Sequence, residues 1–278
     1  MLDLLVFTQH TKAYAPKRLR EEATKLGCRV QVIGYSEAAK LQKFPEAKAV
    51  ILREPDYKKG LYELRDSILN HYLIHKSKIL NHKSYTKWSV LDKITQHQEF
   101  AKANIPYIPL LNLSDAKFPF IAKNKLGSHG DSVYKITCKE DLDKVSQKHD
   151  LKDLLIQEFQ NSGFDLRVIV LGGRILGIMK RTPREGEFLS NYSQGGRVEQ
   201  LIINNEELII IKQIATEAAK HFMLDYVGVD LMMGNSPAGE AGDGDWKVLE
   251  VNRACQFKGF EQATGVNVAS KMIEFLNI

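Results

Sequence analysis

Cysteine is scarce in this chain: three residues in 278, Cys28, Cys138 and Cys255, far apart and odd in number. No Cys-x-x-Cys pair and no Cys/His cluster at zinc spacing occurs, which excludes a zinc module and a disulfide framework and makes a reducing cytoplasm the expected compartment. No apolar run approaches the ~18 residues a membrane span needs. The opening MLDLLVFTQ has no basic region before its apolar stretch and no small-residue cleavage site after it, so it reads as a first strand and not a signal peptide. Internal repeats are absent, and so is any long block of one charge sign; with 44% hydrophobic residues, wholesale disorder is excluded and one or more real cores are expected. No nucleic-acid-binding module is present and the basic residues are scattered. The net charge of +5 suits an acidic ligand such as a nucleotide, and equally an ordinary soluble surface.

What is present begins with strand–helix–strand rhythm. Residues 4–8, 29–34 and 49–52 read as strands, and 15–26 and 62–75 as helices, so a small parallel α/β domain is expected over residues 1–84. A helix is expected over 87–103, followed by the extended link Ile105-Pro106-Tyr107-Ile108-Pro109, where two prolines forbid helix. Strands at 120–123 and 132–135 flank a glycine-containing turn; a polar helix at 139–148 and a strand at 154–159 follow. Strands at 165–171 and 174–180 are joined by Gly172-Gly173, a hairpin signature. A long amphipathic helix at 206–222, strands at 226–232 and 246–251 joined by a loop over 234–245, and a closing helix at 266–275 complete the chain.

Four groups of residues could carry chemistry. Glu250 and Asn252 lie two apart in a strand and share a face; if that strand pairs antiparallel with 226–232, Asp230 joins them. Two carboxylates and an amide oxygen form a hard oxygen site that suits magnesium, although a solvated sheet face explains Glu-Val-Asn alone. Lys123 ends a buried-looking strand and is followed by Gly127-Ser128-His129-Gly130, a loop able to cradle phosphates but not a Walker motif; a plain hairpin turn fits the same residues. Gln157-Glu158-Phe159, followed by Asp165 and Arg167, could take adenine and ribose or simply end a surface strand. Finally, Arg181 and Arg184 precede Leu189-Ser190-Asn191 and Gly195-Gly196-Arg197, which suits a polyanion or a solvated loop.

Taken in order, these motifs resemble the ATP-grasp superfamily, and within it the RimK-type glutamate ligases, over about two thirds of the chain. Lys93, in the pair Asp92-Lys93, falls on the family's first ATP lysine and Lys123 on its second; Glu158-Phe159 fall on the adenine edge, within Gln-Glu-aromatic, and Asp165 and Arg167 match Asp-x-Arg. The run Glu185-Gly186-Glu187-Phe188-Leu189-Ser190-Asn191, after Arg181, keeps the spacing of Arg…Glu-Gly-Asp-Phe-x-Ser-Asn. Asp230, Glu250 and Asn252 match the metal ligands, and Gly259, Glu261, Thr264, Gly265 and Ala269 match the family's tail. The chain departs from the pattern at Arg253-Ala254-Cys255-Gln256-Phe257-Lys258-Gly259, where the family usually has Ala-Ser-Pro-Gly, and at Lys180 and Gln194.

The resemblance implies a mixed α/β and α+β ATP-grasp fold: a pre-ATP-grasp α/β domain over 1–84, a central lid over 85–155 and a C-terminal subdomain with the metal site over 156–278. It implies ATP as cofactor, with Mg2+ (two ions, Mn2+ as the alternative) on Asp230, Glu250 and Asn252. ATP contacts fall to Lys93, Lys123, Ser128, His129, Gly130, Gln157, Glu158, Phe159, Asp165, Leu189, Ser190 and Asn191. Arg181 and Arg167 take the catalytic role of stabilising developing charge, and Arg197, Arg253 and Lys258 are candidate substrate residues. The implied reaction is ADP-forming amide synthesis through an acyl phosphate, with glutamate added to a peptide, protein or cofactor carboxylate. The alternatives are another amino acid or amine, or an inactive nucleotide-binding module. No nucleic-acid or membrane partner is expected; a homo-oligomer is compatible with the sequence.

Overall fold

In the computed structural model, which describes residues 1–55, 60–125, 133–190, 195–201, 205–234 and 245–278, the run from Leu4 to Phe7 is buried on both faces. A central strand of a parallel sheet requires this. The run forms β1 (Leu2–Thr8), flanked by β2 (Val30–Gly34) and β3 (Ala47–Leu52), with β4 (Lys78–Ile79) beyond β3. All are parallel, connected by α1 (Tyr14–Lys25), α2 (Tyr35–Ala38) and α3 (Leu61–Ile74). The α/β rhythm expected for this stretch is present. β4 is only two residues long and offers no periodicity to read.

The helix expected over 87–103 begins only at Lys93, as α5 (Lys93–Lys102); Lys87 instead ends a separate helix, α4 (His82–Lys87). The break has two causes. Asp92 caps α5, accepting from the Thr95 N–H at 2.7 Å. The carbonyls of Trp88 and Ser89, which a continuous helix would use internally, accept instead from Arg253 and Arg65.

The second sheet is antiparallel, in the order β5-β8-β6-β7, from β5 (Leu110–Leu111), β6 (Phe120–Asn124), β7 (Val133–Ile136) and β8 (Leu154–Glu158). α6 (Lys139–Ser146) covers it, with Val145 packed among Phe120, Ala122, Ile136 and Ile156. α5 is not part of this layer. Phe100, with Leu91 and Ile105 beside the helix, packs into the core of the third sheet, so the stretch expected to form one lid over 85–155 divides between two cores.

That third sheet runs β11-β10-β9-β12-β13, all antiparallel: β9 (Asp165–Leu171), β10 (Arg174–Thr182), β11 (Arg197–Gln200), β12 (Tyr226–Met233) and β13 (Trp246–Asn252). The β9–β10 turn uses Gly172 and Gly173, both at positive φ, as its two-residue hairpin demands. α7 (Asn205–His221) fills one face, packing on Leu166, Val168, Val170, Val227, Val229 and Leu231. α8 (Lys258–Thr264) and α9 (Val268–Leu276) cover part of the other, separated by Gly265 at φ 70°. The single closing helix expected from 266 is therefore preceded by a short one.

The N-terminal sheet shares one core with this second face: Leu4, Val6 and Leu19 pack with Ile169, Tyr226, Phe260 and Met272. Polar groups seal the same junction. Tyr14 donates to Glu261 at 2.6 Å, whose other oxygen accepts the Val268 N–H at 2.8 Å. Asn81, buried and at φ 63°, donates to the Tyr226 and Arg253 carbonyls and accepts from the Tyr226 N–H, at 2.7, 2.9 and 2.8 Å. Asparagine tolerates that φ better than most residues. Asn81→Ala would strand these buried groups and is expected to cost roughly 2–4 kcal/mol in urea unfolding.

Candidate active site

Alternation along the five-stranded sheet sorts its residues. Those facing α7 are apolar, while Asp165 and Arg167 on β9, Arg181 on β10, Asp230 on β12, and Glu250 and Asn252 on β13 face the other way. Register brings them together: Arg181 lies opposite Asp165, and Asp230 lies opposite Arg167 on one side and Glu250 on the other. A bulge after the Asp230–Glu250 pair accommodates one extra residue on β13, and Val251 turns into the core. Gly228, opposite Asn252, has no room for a side chain: a Cβ there would meet Cys255 Sγ at 2.9 Å. The same-face arrangement of Asp230, Glu250 and Asn252 expected from spacing is the one observed.

Asp230 is buried, and a two-point contact from Arg167 holds it, with Nε and Nη2 at 2.7 and 2.6 Å; Arg181 Nη2 adds a third contact at 3.1 Å. Burial alone would raise this carboxyl, but the two guanidiniums outweigh it and keep it below the usual carboxylate range. Arg181 Nε also donates to Asp165, whose second oxygen accepts from Ser190 Oγ. Both Asp165 oxygens bond inside the protein, so Asp165 orients Arg181 and anchors the segment at Ser190, while the residue also lines the cleft. Asn252 Nδ2 donates to Asp230 at 3.3 Å and to Glu250 at 3.0 Å.

No group of three His, Cys, Asp or Glu suited to a metal occurs among the described residues. The third member of this set is an amide. The set nevertheless fits a hard cation: Asn252 bonds both carboxylates, so all three heads converge on one point, and turning the amide over presents its oxygen there. Glu250 has no basic ion-pair partner among the described residues, which leaves it the open carboxylate of the three.

Opposite this floor stands the four-stranded sheet. Lys123, near the end of β6, is 5% exposed. Burial, helped by the charge of Lys93 and opposed by Glu250, pushes its ammonium down to about 8. Lys93 opens α5. Behind both lies His97, which the sequence reading passed over: Nδ1–H donates to the Lys93 carbonyl at 2.5 Å and Nε2 accepts from Gln157 Nε2 at 2.7 Å. Burial and the charge of Lys123 push this imidazole down to about 4, consistent with a neutral ring in that role. Gln157 Nε2 also donates to the Ile108 carbonyl at 2.7 Å, so its amide nitrogen is bonded to the framework.

A cleft of about 710 Å³ separates floor and roof, lined by Lys93, Lys123, Glu158, Phe159, Leu189 and Glu250 among others. Ser128, His129, Gly130 and Asn191 lie outside the described residues.

The three candidate substrate residues separate. Lys258 is exposed and lines the cleft. Arg197 does not line it; its side chain is 81% exposed beside Glu199. Arg253 touches the cleft while all three of its nitrogens donate to the framework: Nε bonds Glu54 at 2.7 Å, Nη1 the Trp88 carbonyl at 2.6 Å and Nη2 the Ser89 carbonyl at 3.1 Å, with the guanidinium over Tyr85. It points away from Asn252's face and ties the N-terminal sheet to the end of β13.

The family model for the RimK-like ATP-grasp domain matches residues 71–276. The chain belongs to this family. Among curated members, the probable alpha-L-glutamate ligase of Legionella pneumophila (strain Corby) is 27% identical over 99% of this chain and 95% of its own length. That of Haemophilus influenzae (strain 86-028NP) is 26% identical over 100% and 98%. A 127-residue match to the probable alpha-L-glutamate ligase of Maridesulfovibrio salexigens reaches 36% identity, over 45% of this chain and only 38% of that relative. The fold recurs in the ATP-grasp ligase PsnB complexed with a precursor variant, Mg and ADP (TM-score 0.73, 19% identity, 100% and 99% of the two chains). It recurs too in the RimK domain protein of Sphaerobacter thermophilus DSM 20745 (TM-score 0.69, 15% identity, 98% of each). The fold and family expected from the motifs are thus both borne out, and ATP and Mg2+ are the cofactors this family uses.

The depressed Lys123 carries a pH signature. In the apoprotein its folded value of about 8 lies below the ordinary 10.5, so the unfolded chain binds more protons between these values and stability rises with pH there. A lysine in the role expected of Lys123, meeting a triphosphate, must carry its proton. ATP affinity measured calorimetrically is expected to fall above pH 8, by up to about tenfold per unit, and Lys123→Arg is expected to flatten that profile.

Proposed function

We propose that this chain is an ATP-dependent, ADP-forming carboxylate–amine ligase that works through an acyl phosphate, adding glutamate to the carboxylate of a peptide, protein or cofactor. One observation carries the reading: Asp230, Glu250 and Asn252 converge on one side of a cleft whose other side presents Lys123, with Arg167 and Arg181 between the carboxylates. Asp230, Glu250 and Asn252 would hold magnesium there, as two ions or replaced by manganese, and its charge would offset that of the nucleotide phosphates.

The chain's own residues do the rest. Lys123 and Lys93 steady the triphosphate from the roof. The substrate carboxylate attacks the γ-phosphorus, ADP leaves, and the amine then attacks the acyl carbonyl, releasing phosphate and a proton. Arg181, held by Asp165, and Arg167, held by Asp230, oppose the negative charge that develops on the transferred group. No side-chain nucleophile is needed, because positioning and electrostatics suffice. A nucleotide-binding module without catalysis would have no use for an open Glu250 beside a buried lysine. The names of the relatives support glutamate as the amine. No described helix is long and apolar enough to cross a membrane, which fits the cytoplasmic placement we propose.

Phosphate release, scanned across amino acids and candidate carboxylates with products read by mass spectrometry, tests the reading. Glutamate-dependent turnover is the expected result; turnover with another amine alone would move the assignment to that amine, and none with any pair would remove the ligase reading. Glu250→Gln keeps shape and loses the open charge; kcat should fall by roughly 10²–10³-fold with the melting temperature unchanged. Near-normal turnover at saturating magnesium would overturn the metal assignment.

A further inference from the structure

The N-terminal sheet forms a wall of the same cleft that the nucleotide chemistry does not use. From β1 the chain winds first to β2 on one side and then to β3 on the other. The reversal opens a crevice beyond the carboxyl ends of β1 and β3, the position where open α/β sheets receive ligands. Here the crevice empties into the cleft, with Thr8, His10 and Arg53 on one side and Ala254 and Lys258 across from them.

Arg53 is the unusual member. It is 5% exposed. Its backbone is fixed twice, by its own N–H on the Phe7 carbonyl at 2.9 Å and by the Tyr35 hydroxyl on its carbonyl at 2.6 Å. Its Nη2 donates to the carbonyls of Ala254 at 2.6 Å and Cys255 at 3.5 Å. Two nearby carboxylates among the described residues are taken: Glu54 by Arg65 and Arg253, Asp66 by Arg65. Among the described residues Arg53 has no ion pair. A guanidinium taken out of water without a counter-ion is costly, and its planar fork fits a carboxylate at two points.

We propose that Arg53 anchors a carboxylate that does not react: the α-carboxylate of the amino acid whose amine attacks the acyl phosphate. This rests on the ligase reading above. The reacting carboxylate belongs over Glu250 and Asn252. Arg53 is bonded to Ala254, two residues past Asn252, and lines the same cleft as Glu250 and Asn252. Lys258, on the same rim, adds a second positive charge.

The test compares L-glutamate with γ-aminobutyrate, which keeps the amine and lacks the α-carboxylate, in wild type, Arg53→Gln and Arg53→Lys. Arg53→Gln is expected to raise KM for L-glutamate by about 10- to 100-fold, to leave KM for ATP within about twofold, and to leave γ-aminobutyrate as poor a substrate as before. Preference between the two amines then collapses; the lysine variant keeps charge without two-point geometry and recovers only part of it, and it carries the comparison if the glutamine variant does not fold. Equal losses for both amines, or an unchanged preference, would overturn the proposal and leave Arg53 a strut between domains. If wild type shows no amino-acid-dependent turnover, the ligase reading fails by itself. Thermal stabilisation then decides on Arg53: stabilisation by L-glutamate that γ-aminobutyrate does not give and that Arg53→Gln removes supports the anchor, and stabilisation that is absent in wild type or equal in wild type and variant overturns it.

Discussion

Asp230 sits between two arginines, and the geometry of the candidate site depends on that contact. A carboxylate this deeply buried is unstable unless its charge is met, and Arg167 meets it at two points while Arg181 adds a third. The three side chains come from three adjacent strands, so the ion cluster also holds β10, β9 and β12 in one register on the cleft side. Removing either arginine would leave buried charge uncompensated. Asp165 repeats the device one position along, taking Arg181 on one oxygen and Ser190 on the other. The guanidiniums therefore arrive at the cleft with their planes already set, which is the preorganisation an electrostatic catalyst needs.

A second charged cluster does mechanical work. Glu54 divides its oxygens between Arg65 and Arg253, and both arginines then bond the carbonyl of Ser89 in the link between α4 and α5. This cluster joins the N-terminal sheet, the link and the residue after β13. With the shared apolar core around Tyr226 and Phe260, it makes the N-terminal domain part of the cleft wall and not a tethered appendage.

Much of this was legible in the sequence because strand alternation has a fixed period. Glu250 and Asn252 two apart, with Val251 between them, could face only one way, and Asp230 joins them because its strand pairs antiparallel with theirs, a condition that spacing alone left open. The opposite face of Arg253 was legible by the same rule. What it would bond was not, since Glu54 lies 199 positions away and Trp88 165. The break at residues 88–92 was hidden for a related reason: the pattern is helical, and the competing partners for its carbonyls come from elsewhere in the chain. His97 and Arg53 carry no local motif at all. Their roles arise only when β8 closes the second sheet over α5, and when the winding reversal at β1 turns the end of β3 toward β13.

The distribution of charge suggests an order to assembly. On the floor, three carboxylates face two guanidiniums, and the two that are buried, Asp165 and Asp230, are the two that the arginines satisfy. Glu250 is the residue left over; among the described residues its polar partner is the Asn252 amide. Across the cleft a buried lysine has an ammonium weakened by its surroundings. Neither side alone is built to strip water from a free magnesium ion, which gives up its hydration reluctantly. A magnesium–triphosphate complex would change that balance under the proposed reading: a cation offsets the charge of Glu250, and phosphate oxygens favour the charged form of Lys123. Each wall thus lacks what the nucleotide complex brings, so metal and nucleotide should enter together, and the closed charge ledger exists only in the loaded cleft.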